Sequence, residues 1–189
     1  MKMFLMIFTV LSSFLTNLET KTLQADFTVT VSEEADAPMN YPGKILMQGD
    51  KFHLDALDME AAYDGKTMYM YSTQMDELTL THPTDEELLE ANPFRYAKAL
   101  VPVCNVTEKA SQDGKQTIIT LTPKNRSVGI NRFTLQVRNE DLMPLKVEIK
   151  EGRKNTVLKL RGQKFIPAKH EYVFVIKPSS NTFINDMRL

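Results

Sequence analysis

The 189-residue chain has no tryptophan, only three histidines and a single cysteine, Cys104. One cysteine cannot form an intramolecular disulfide, so both oxidising and reducing compartments are compatible with this composition. His53, His82 and His170 are far apart in the sequence. None of them has the spacing from another histidine or from the cysteine that a zinc site requires, so the sequence predicts no metal site.

Sequence patterns of catalysis are also missing. The chain has neither a Gly-x-Ser-x-Gly elbow nor a glycine-rich phosphate loop. Cys104 follows the apolar residues 101–103, which is typical of a small buried hydrophobic residue rather than a nucleophile. Glu86, Glu87 and Glu90 lie at a predicted helix start, where the helix dipole favours acidic side chains. We therefore expect a protein that is not an enzyme and has no cofactor.

Charge and length narrow the possibilities further. Lys and Arg number 23 against 24 Asp and Glu, which gives a formal net charge of −1, and no basic block occurs along the chain. Nucleic acid is therefore not an expected partner. With 42% hydrophobic residues, 189 residues can bury the core of one domain. We expect a monomer with a single domain.

Long hydrophobic runs are absent except near the N-terminus, where Lys2 precedes a mostly apolar run over residues 3–15. That run is shorter than the roughly 20 residues of a membrane-spanning helix. It resembles the apolar region of a secretory signal, although residues 16–20 contain no small-x-small cleavage site. The alternative is that it forms the first helix of the mature protein and that the export signal lies upstream of Met1. We assign residues 1–17 to a signal peptide or first helix and residues 18–189 to the domain, and expect export to the periplasm.

Short alternating segments separated by turn residues extend over residues 23–177 and predict a mainly antiparallel β protein. Phe27, Val29 and Val31 share one strand face, and Leu145, Val147 and Ile149 alternate with charged residues in the same way. We expect exposed loops around residues 35–39 and 162–169.

Two glycine-containing dipeptides predict hairpins, Gly49-Asp50 and Asp64-Gly65, the second as a two-residue turn with positive φ angles. After Asp64-Gly65, methionine alternates with tyrosine. Met68 and Met70 therefore face one side of a strand, and Tyr69 and Tyr71 face the other. Flexible, polarizable methionine side chains suit a surface that accepts ligands of variable shape. An ordinary sheet with one core face and one wet face is the alternative.

The β pattern is interrupted by two predicted helices between residues 84 and 101. Thr84 and Glu87 form a capping box at the start of the first helix, which should end near Asn92. Asn92 then caps a second helix with Pro93 in its first turn. This second helix places three apolar residues on one face: Phe94, Ala97 and Val101. The helices either cover a ligand cavity or simply cap the core and a sheet edge.

An antiparallel sheet with a continuous apolar face and few helices to cover it predicts a ligand cavity. Its predicted lining consists of apolar residues from both strands and helices. They are Phe27, Val29, Ile45, Met47, Phe52, Leu54, Met68, Met70, Leu88, Phe94, Ala97, Phe133 and Leu135.

Several motifs occur in a specific order along the chain: Ala25-Asp26-Phe27, Gly43-Lys44-Ile45, Asp64-Gly65-Lys66-Thr67, Asn92-Pro93-Phe94, Leu121-Thr122-Pro123-Lys124, Phe133-Thr134, and the apolar segment 172–178 as a final strand. In this order and spacing the chain resembles the LolA family of periplasmic lipoprotein carriers. The resemblance implies an incomplete, strongly curved antiparallel β-barrel, a half-barrel, with short helices lidding its concave apolar face.

The resemblance also implies a function and partners. Such carriers accept acylated lipoproteins from an inner-membrane lipoprotein-releasing transporter and pass them to an outer-membrane acceptor. The alternative is an envelope-stress sensor or scaffold domain on the same open barrel, which binds lipid or a protein partner without transport. One difference concerns the lid. In the best-studied branch of the family an Arg in one loop hydrogen-bonds the lid and helps it close, whereas the matching loop here reads Gln48-Gly49-Asp50-Lys51. Either Asp50 or Lys51 replaces it, or the lid is held loosely.

Overall fold

The computed structural model describes residues 9–33 and 37–188, and its strands form one large sheet. Within this part of the chain the sheet has twelve strands: β1 Lys21–Ser32, β2 Met39–Gln48, β3 Lys51–Ala56, β4 Met59–Tyr63, β5 Met68–Ser72, β6 Glu77–Thr81, β7 Cys104–Ala110, β8 Gln116–Pro123, β9 Arg132–Arg138, β10 Pro144–Glu151, β11 Lys154–Pro167 and β12 Phe183–Asp186. The prediction of a mainly β protein is confirmed.

The strand order across the sheet is β12-β6-β5-β4-β3-β2-β1-β11-β10-β9-β8-β7. All neighbouring pairs are antiparallel except β12 and β6, which are parallel. The pairing of β1 with β11 joins the two halves of the chain. In its register, Val29 of β1 lies directly opposite Leu158 of β11. The end strands β7 and β12 do not pair with each other, so the sheet stays open. This is the predicted half-barrel.

Curvature at the centre of the sheet has two local causes. The register of β1 against β11 shifts between Gln24 and Asp26, and such a bulge bends a strand. In the adjacent strand, a Cβ atom on Gly43 would lie 2.5 Å from the ring of Phe27 and 2.5 Å from the carbonyl oxygen of Asp55. Only glycine allows the Phe27 ring to lie against this strand, so Gly43 of the Gly43-Lys44-Ile45 motif has a packing role.

The two predicted hairpins differ in outcome. Gly49-Asp50 does link β2 to β3 directly, with Gly49 at φ 57°. The two-residue turn at Asp64-Gly65 is wrong, because β4 ends at Tyr63 and β5 begins at Met68. The Asp64 carboxylate accepts hydrogen bonds from the backbone N–H groups of Lys66 and Thr67, both at 2.8 Å. A side chain therefore completes this turn, so a longer loop replaces the tight one.

Three α-helices lie in the described residues: α1 Thr9–Thr20, α2 Asp85–Ala91 and α3 Pro93–Leu100. The predicted capping box of α2 is present, with both reciprocal bonds between Thr84 and Glu87. Hydrogen bonds from Thr84 lower the pKa of Glu87. The side chain of Asn92 caps α3 by accepting from the backbone N–H groups of Phe94 and Arg95, both at 3.0 Å. Both predicted helices are confirmed.

Helix α1 packs inside the curve of the sheet. Leu11, Phe14 and Leu18 are at most 3% exposed, and the Phe14 ring meets Phe94 of α3 edge to face at 5.0 Å between centroids. The Glu108 carboxylate of β7 accepts hydrogen bonds from the backbone N–H groups of Val10 and Leu11, in the part of the helix where a negative charge is favoured. Residues 1–8 lie outside the described residues. The choice between signal peptide and first helix for residues 1–17 stays a prediction.

The C-terminal region corrects the prediction of a final strand. Residues 172–178 form no strand: a 3-10 turn spans Glu171–Phe174 and an extended segment follows it. We call residues 171–177 the strap. Phe174 and Ile176 are buried, and Ile176 packs against the convex face of β4 and β6. The apolar alternation of this segment therefore reflects packing onto a sheet rather than pairing within one.

The strap also changes the tyrosine face of β5. Tyr69 and Tyr71 are not on a wet face, because they pack beside the cluster of Ala62, Leu78, Leu80 and Ile176. Their hydroxyl groups donate to Asp64 and Asp76. Desolvation is the main cause that raises the pKa of Tyr69, and the hydrogen bond to Asp64 raises it further. The hydrogen bond to Asp76 is the main cause that raises the pKa of Tyr71.

The loop expected at residues 162–169 is wrong over most of its length, since β11 continues to Pro167 and its Phe165 faces Leu23 of β1. In the loop at 35–39, residues 35 and 36 lie outside the described residues. No helix in residues 9–33 or 37–188 is long and apolar enough to cross a membrane.

Candidate apolar binding groove

The concave face of the sheet becomes less buried from one end to the other. Strand register places Met47, Phe52, Tyr63 and Met68 in one row across β2 to β5, and each is at most 8% exposed. In the next row, Ile45, Leu54 and Ala61 are half-buried and Met70 is 41% exposed. Beyond it lie half-buried Ala56 and Met59, which is 43% exposed. Helix α1 packs against the end of the concave face that carries the first, buried row. The other end of this face is open.

An apolar cavity of about 180 Å³ lies on this face where the helices end. Strands β1 to β3 form one wall, β10 and β11 form the other, and α2 and α3 form the roof. The lining residues are Phe27, Val29, Ile45, Leu54, Glu90, Ala91, Pro93, Val147, Ile149, Thr156 and Leu158. Glu90 is the one charged residue among them, and it is exposed at the roof.

A wider and more polar opening of about 560 Å³ adjoins the apolar cavity and shares Glu90, Pro93, Ile149 and Thr156 with it. We call this opening the mouth. Its charged lining includes Glu86, Glu90, Glu151 and Lys154. Cavities that enclose a drug-sized ligand measure about 300–1,000 Å³, so the apolar cavity alone is too small for such enclosure. A long apolar ligand must extend from the cavity into the mouth or onto the open surface at Met59 and Met70.

The predicted lining residues divide into three groups in the structure. Phe27, Val29, Ile45 and Leu54 line the cavity together. Met70 lies on the exposed part of the same concave face. The others are buried in the main core, and they are Met47, Phe52, Met68, Leu88, Phe94, Ala97, Phe133 and Leu135. Ligand contact by any of these residues remains a prediction.

Sequence reasoning missed part of the lining. Val147, Ile149 and Leu158, with Ala91 and Pro93 of the helices, complete the cavity. The alternation of Val147 and Ile149 with charged residues was a usable signal for this face. Leu158 had no such signal, because its position depends on the long-range pairing with Val29.

The roof helices are joined to the β2–β3 loop by ionic contacts. Arg95 of α3 donates to Asp50 of the loop at 2.5 Å and to Asp85 of α2 at 2.8 Å. Asn92 also donates from its side chain to the carbonyl oxygen of Gly49, at 3.4 Å. Lys51 instead pairs with Glu171 of the strap, at 2.7 Å. Asp50 therefore provides the loop's ionic contact with the helices, and Gly49 provides a hydrogen bond.

The ion pair between Arg95 and Asp50 predicts a local effect of Asp50→Asn. Arg95 is 22% exposed in its side chain, so the pair is partly screened and its loss should cost about 1 kcal/mol or less. We expect faster hydrogen exchange at the amides of α2 and α3, with unchanged exchange in β8 and β9, because only the roof loses a contact. Unchanged exchange in both helices would show that the ion pair does not hold the roof.

The described residues offer little for chemistry. No group of three or more His, Cys, Asp or Glu in residues 9–33 and 37–188 could hold a metal ion. Cys104 is 3% exposed, as expected for a buried hydrophobic residue, and burial raises the pKa of its thiol. A raised thiol pKa disfavours the nucleophilic thiolate.

An open half-barrel with a roofed apolar groove is the architecture of a protein that binds an apolar ligand or partner. The sequence profile described as "Outer membrane lipoprotein carrier protein LolA" matches residues 18–177. The chain belongs to this family of carrier proteins. Among curated protein sequences, none matches the chain.

Solved structures share the fold at low sequence identity. An uncharacterized conserved protein from Thermus thermophilus superimposes with a TM-score of 0.61 at 13% identity, covering 94% of this chain and 96% of that one. The MucA/MucB complex of Pseudomonas aeruginosa gives a TM-score of 0.50 at 14% identity, covering 89% of this chain and 60% of that one. The LolA superfamily protein NE2245 from Nitrosomonas europaea gives 0.43 at 11% identity, covering 87% and 97%.

Proposed function

We propose that this protein is a periplasmic carrier that binds acylated lipoproteins or related lipids in its concave groove and passes them to the outer membrane. An inner-membrane lipoprotein-releasing transporter supplies the cargo in this proposal, and an outer-membrane acceptor receives it. The protein acts by binding and not as an enzyme. The observation that carries the proposal is the small apolar cavity, which shares four lining residues with the mouth and lies beside the exposed part of the concave face.

Partial enclosure suits a carrier for energetic reasons. Burial of acyl chain contributes about 0.8 kcal/mol per CH₂, so full enclosure of a 16-carbon chain would contribute about 13 kcal/mol. That corresponds to a dissociation constant of about 1 nM or tighter. A carrier must also release its cargo. A cavity of 180 Å³ encloses only part of such a chain, and the rest meets exposed groups.

The open part of the concave face has side chains suited to an adaptable contact. Met59 and Met70 are unbranched and exposed, while Ala56 opposite Met59 and Ala61 opposite Met70 leave room on the sheet. Methionine rearranges around ligands of different shape at low cost. The surface can therefore accept acyl chains of different length or number.

Mass spectrometry of lipids and lipoproteins co-purified from the native envelope tests this proposal. We expect an acylated lipoprotein or lipid bound to the wild-type protein. Leu54→Glu places a carboxylate in the cavity and should lose that species. Gln24→Glu adds the same charge on the exposed convex face and should retain it. Absence of any acylated species from the wild-type protein, or equal recovery with both variants, would contradict the carrier role.

A second candidate function is an envelope-stress sensor or scaffold that binds a protein partner on the same half-barrel. The likeness to the solved MucA/MucB complex supports this second function, because that structure contains MucB together with MucA. At 14% identity the support extends only to the fold. The same co-purification separates the two functions. A sensor predicts a stoichiometric protein partner without attached acyl chains, retained by Leu54→Glu.

A further inference from the structure

The two halves of the chain carry opposite charge, although the total is close to zero. Residues 19–94 contain 16 Asp and Glu against 4 Lys and Arg, a net charge of −12. Residues 95–169 contain 6 Asp and Glu against 16 Lys and Arg, a net charge of +10. The second half supplies β7 to β11, so the half-barrel has one basic wing.

Basic residues of this wing share the convex side of three adjacent strands. Val147 and Ile149 of β10 face the cavity, so Lys146 and Lys150 face the opposite side. The same alternation places Arg132 of β9 on the other side of the sheet from its buried neighbour Phe133. It likewise places Lys159 of β11 on the other side from its buried neighbour Leu160. We call this surface the convex basic face, and its residues are Arg132, Lys146, Lys150, Lys159 and Arg161.

The register of the convex basic face brings like charges together. Lys146 lies directly opposite Lys159 between β10 and β11, and Lys150 lies directly opposite Arg132 between β9 and β10. Like charges in directly opposed positions destabilise a sheet. Natural sequences depart from such local rules mainly at functional sites.

Acidic residues on this side are fewer than basic ones: Asp26 of β1 lies directly opposite Arg161, and the Glu148 carboxylate is close enough to Arg132 for an electrostatic interaction. Glu148 pairs with Lys146 at 2.8 Å and is the acidic residue of this side of β10. In the described part of the chain, Arg132, Lys150, Lys159 and Arg161 have no ion pair. An external anion would relieve the repulsion that the sheet leaves uncompensated.

We propose that the convex basic face is a docking surface for an anionic membrane surface. Stable protein interfaces depend on apolar or aromatic anchors in pockets. On β9 and β10 the convex side has none, because its side chains there are all charged or polar: Arg132, Thr134, Gln136, Arg138, Lys146, Glu148 and Lys150. On β11 it adds a half-buried valine, Val157, opposite Glu148, which is not an aromatic anchor. Mobile anionic headgroups can meet such a distributed set of cations without a matching shape.

The position of the face gives docking a direct consequence for the groove. Lys150 lies between Ile149, which lines the apolar cavity, and Glu151, which lines the mouth. Because the cavity and the mouth open on the concave side, docking through the convex face leaves both of them accessible while the protein is attached. Electrostatic attachment without apolar insertion is weak and is screened by salt, so the protein can leave again.

Vesicle co-sedimentation tests the proposal on the full chain. The probes are vesicles of phosphatidylcholine alone and vesicles with about 30 mol% phosphatidylglycerol. We expect the wild-type protein to bind only the anionic vesicles and to be released at about 0.5 M salt, where the Debye length falls to a few ångströms. The variant Lys150→Gln/Lys159→Gln should bind about 30-fold more weakly, since each lysine near an anionic surface contributes about fivefold.

A matched control changes the same net charge elsewhere. Lys66→Gln/Lys177→Gln removes two exposed lysines from the other wing and the strap and should bind anionic vesicles like wild type. The Lys150→Gln/Lys159→Gln variant should also be no less stable to urea, because each substitution removes one member of a like-charge pair. A fluorescent acyl probe should bind both variants equally, which separates this proposal from acyl binding.

Three results would overturn the proposal. The first is no binding of the wild-type protein to anionic vesicles at low salt, which would leave an acidic protein as the partner of this face. The second is equal weakening in both double variants, which would indicate net charge alone. The third is equal binding to neutral and anionic vesicles, which would indicate insertion through the apolar groove.

Discussion

Leu54→Glu should weaken binding of a fluorescent acyl probe by at least about 100-fold. Leu54 lies on the cavity wall beside Ile45 and opposite the β10–β11 wall, where bound acyl chain would exclude water from a carboxylate. An unpaired charge in an apolar site costs several kcal/mol, and about 2.7 kcal/mol corresponds to 100-fold in affinity. Fluorescence titration with one probe measures the loss.

The side chain of Leu54 is only half-buried without ligand, so the variant should still fold. Gln24→Glu is the matched control, since Gln24 is exposed on the convex face of β1. It should change the affinity less than twofold or so. Equal affinity of wild type and Leu54→Glu would show that the acyl chain does not enter this cavity.

Phe14→Ala should lower the free energy of unfolding by about 3–5 kcal/mol, as is typical for a fully packed phenylalanine. Phe14 is 0% exposed and its ring lies 5.0 Å from that of Phe94. Deletion of residues 1–17 should cost more, because it also removes buried Leu11. Urea unfolding at equilibrium gives both values.

Thr16→Ala provides the control within the same helix. Thr16 is exposed, and its hydroxyl donates to the carbonyl oxygen of Ser12 in its own helix, so the change should stay within about 0.5 kcal/mol. If deletion of residues 1–17 leaves the unfolding midpoint unchanged, this segment is dispensable to the fold, as a cleaved signal would be. A large loss would make α1 the first helix of the domain.

Local sequence signals predicted much of the fold because local physics determines those elements. The alternation at Met68 to Tyr71 correctly separated two faces, and Thr84 and Asn92 correctly marked two helix starts. The Asp64-Gly65 turn was wrong because the dipeptide alone does not show that the Asp64 side chain bonds two backbone groups further along.

The candidate site was less accessible to sequence reasoning, because its burial depends on distant segments. Met68 and Met70 have the same residue type and face, yet one is 8% and the other 41% exposed. The difference arises from the packing of α1 and the roof helices against only one end of the curve. The convex basic face is likewise invisible as a sequence block, since register brings together Lys146 and Lys159 from different strands.

Photocrosslinking with a diazirine-bearing fatty acyl probe, followed by peptide mapping, tests the central claim most directly. The claim is that acyl chain lies in the concave groove between β1 to β3 and β10 to β11. We predict crosslinks to Val29, Leu54 and Leu158 in the cavity and to Met59 or Met70 on its open continuation. Crosslinks confined to the convex side, for example at Leu46 or Ile166, would contradict it.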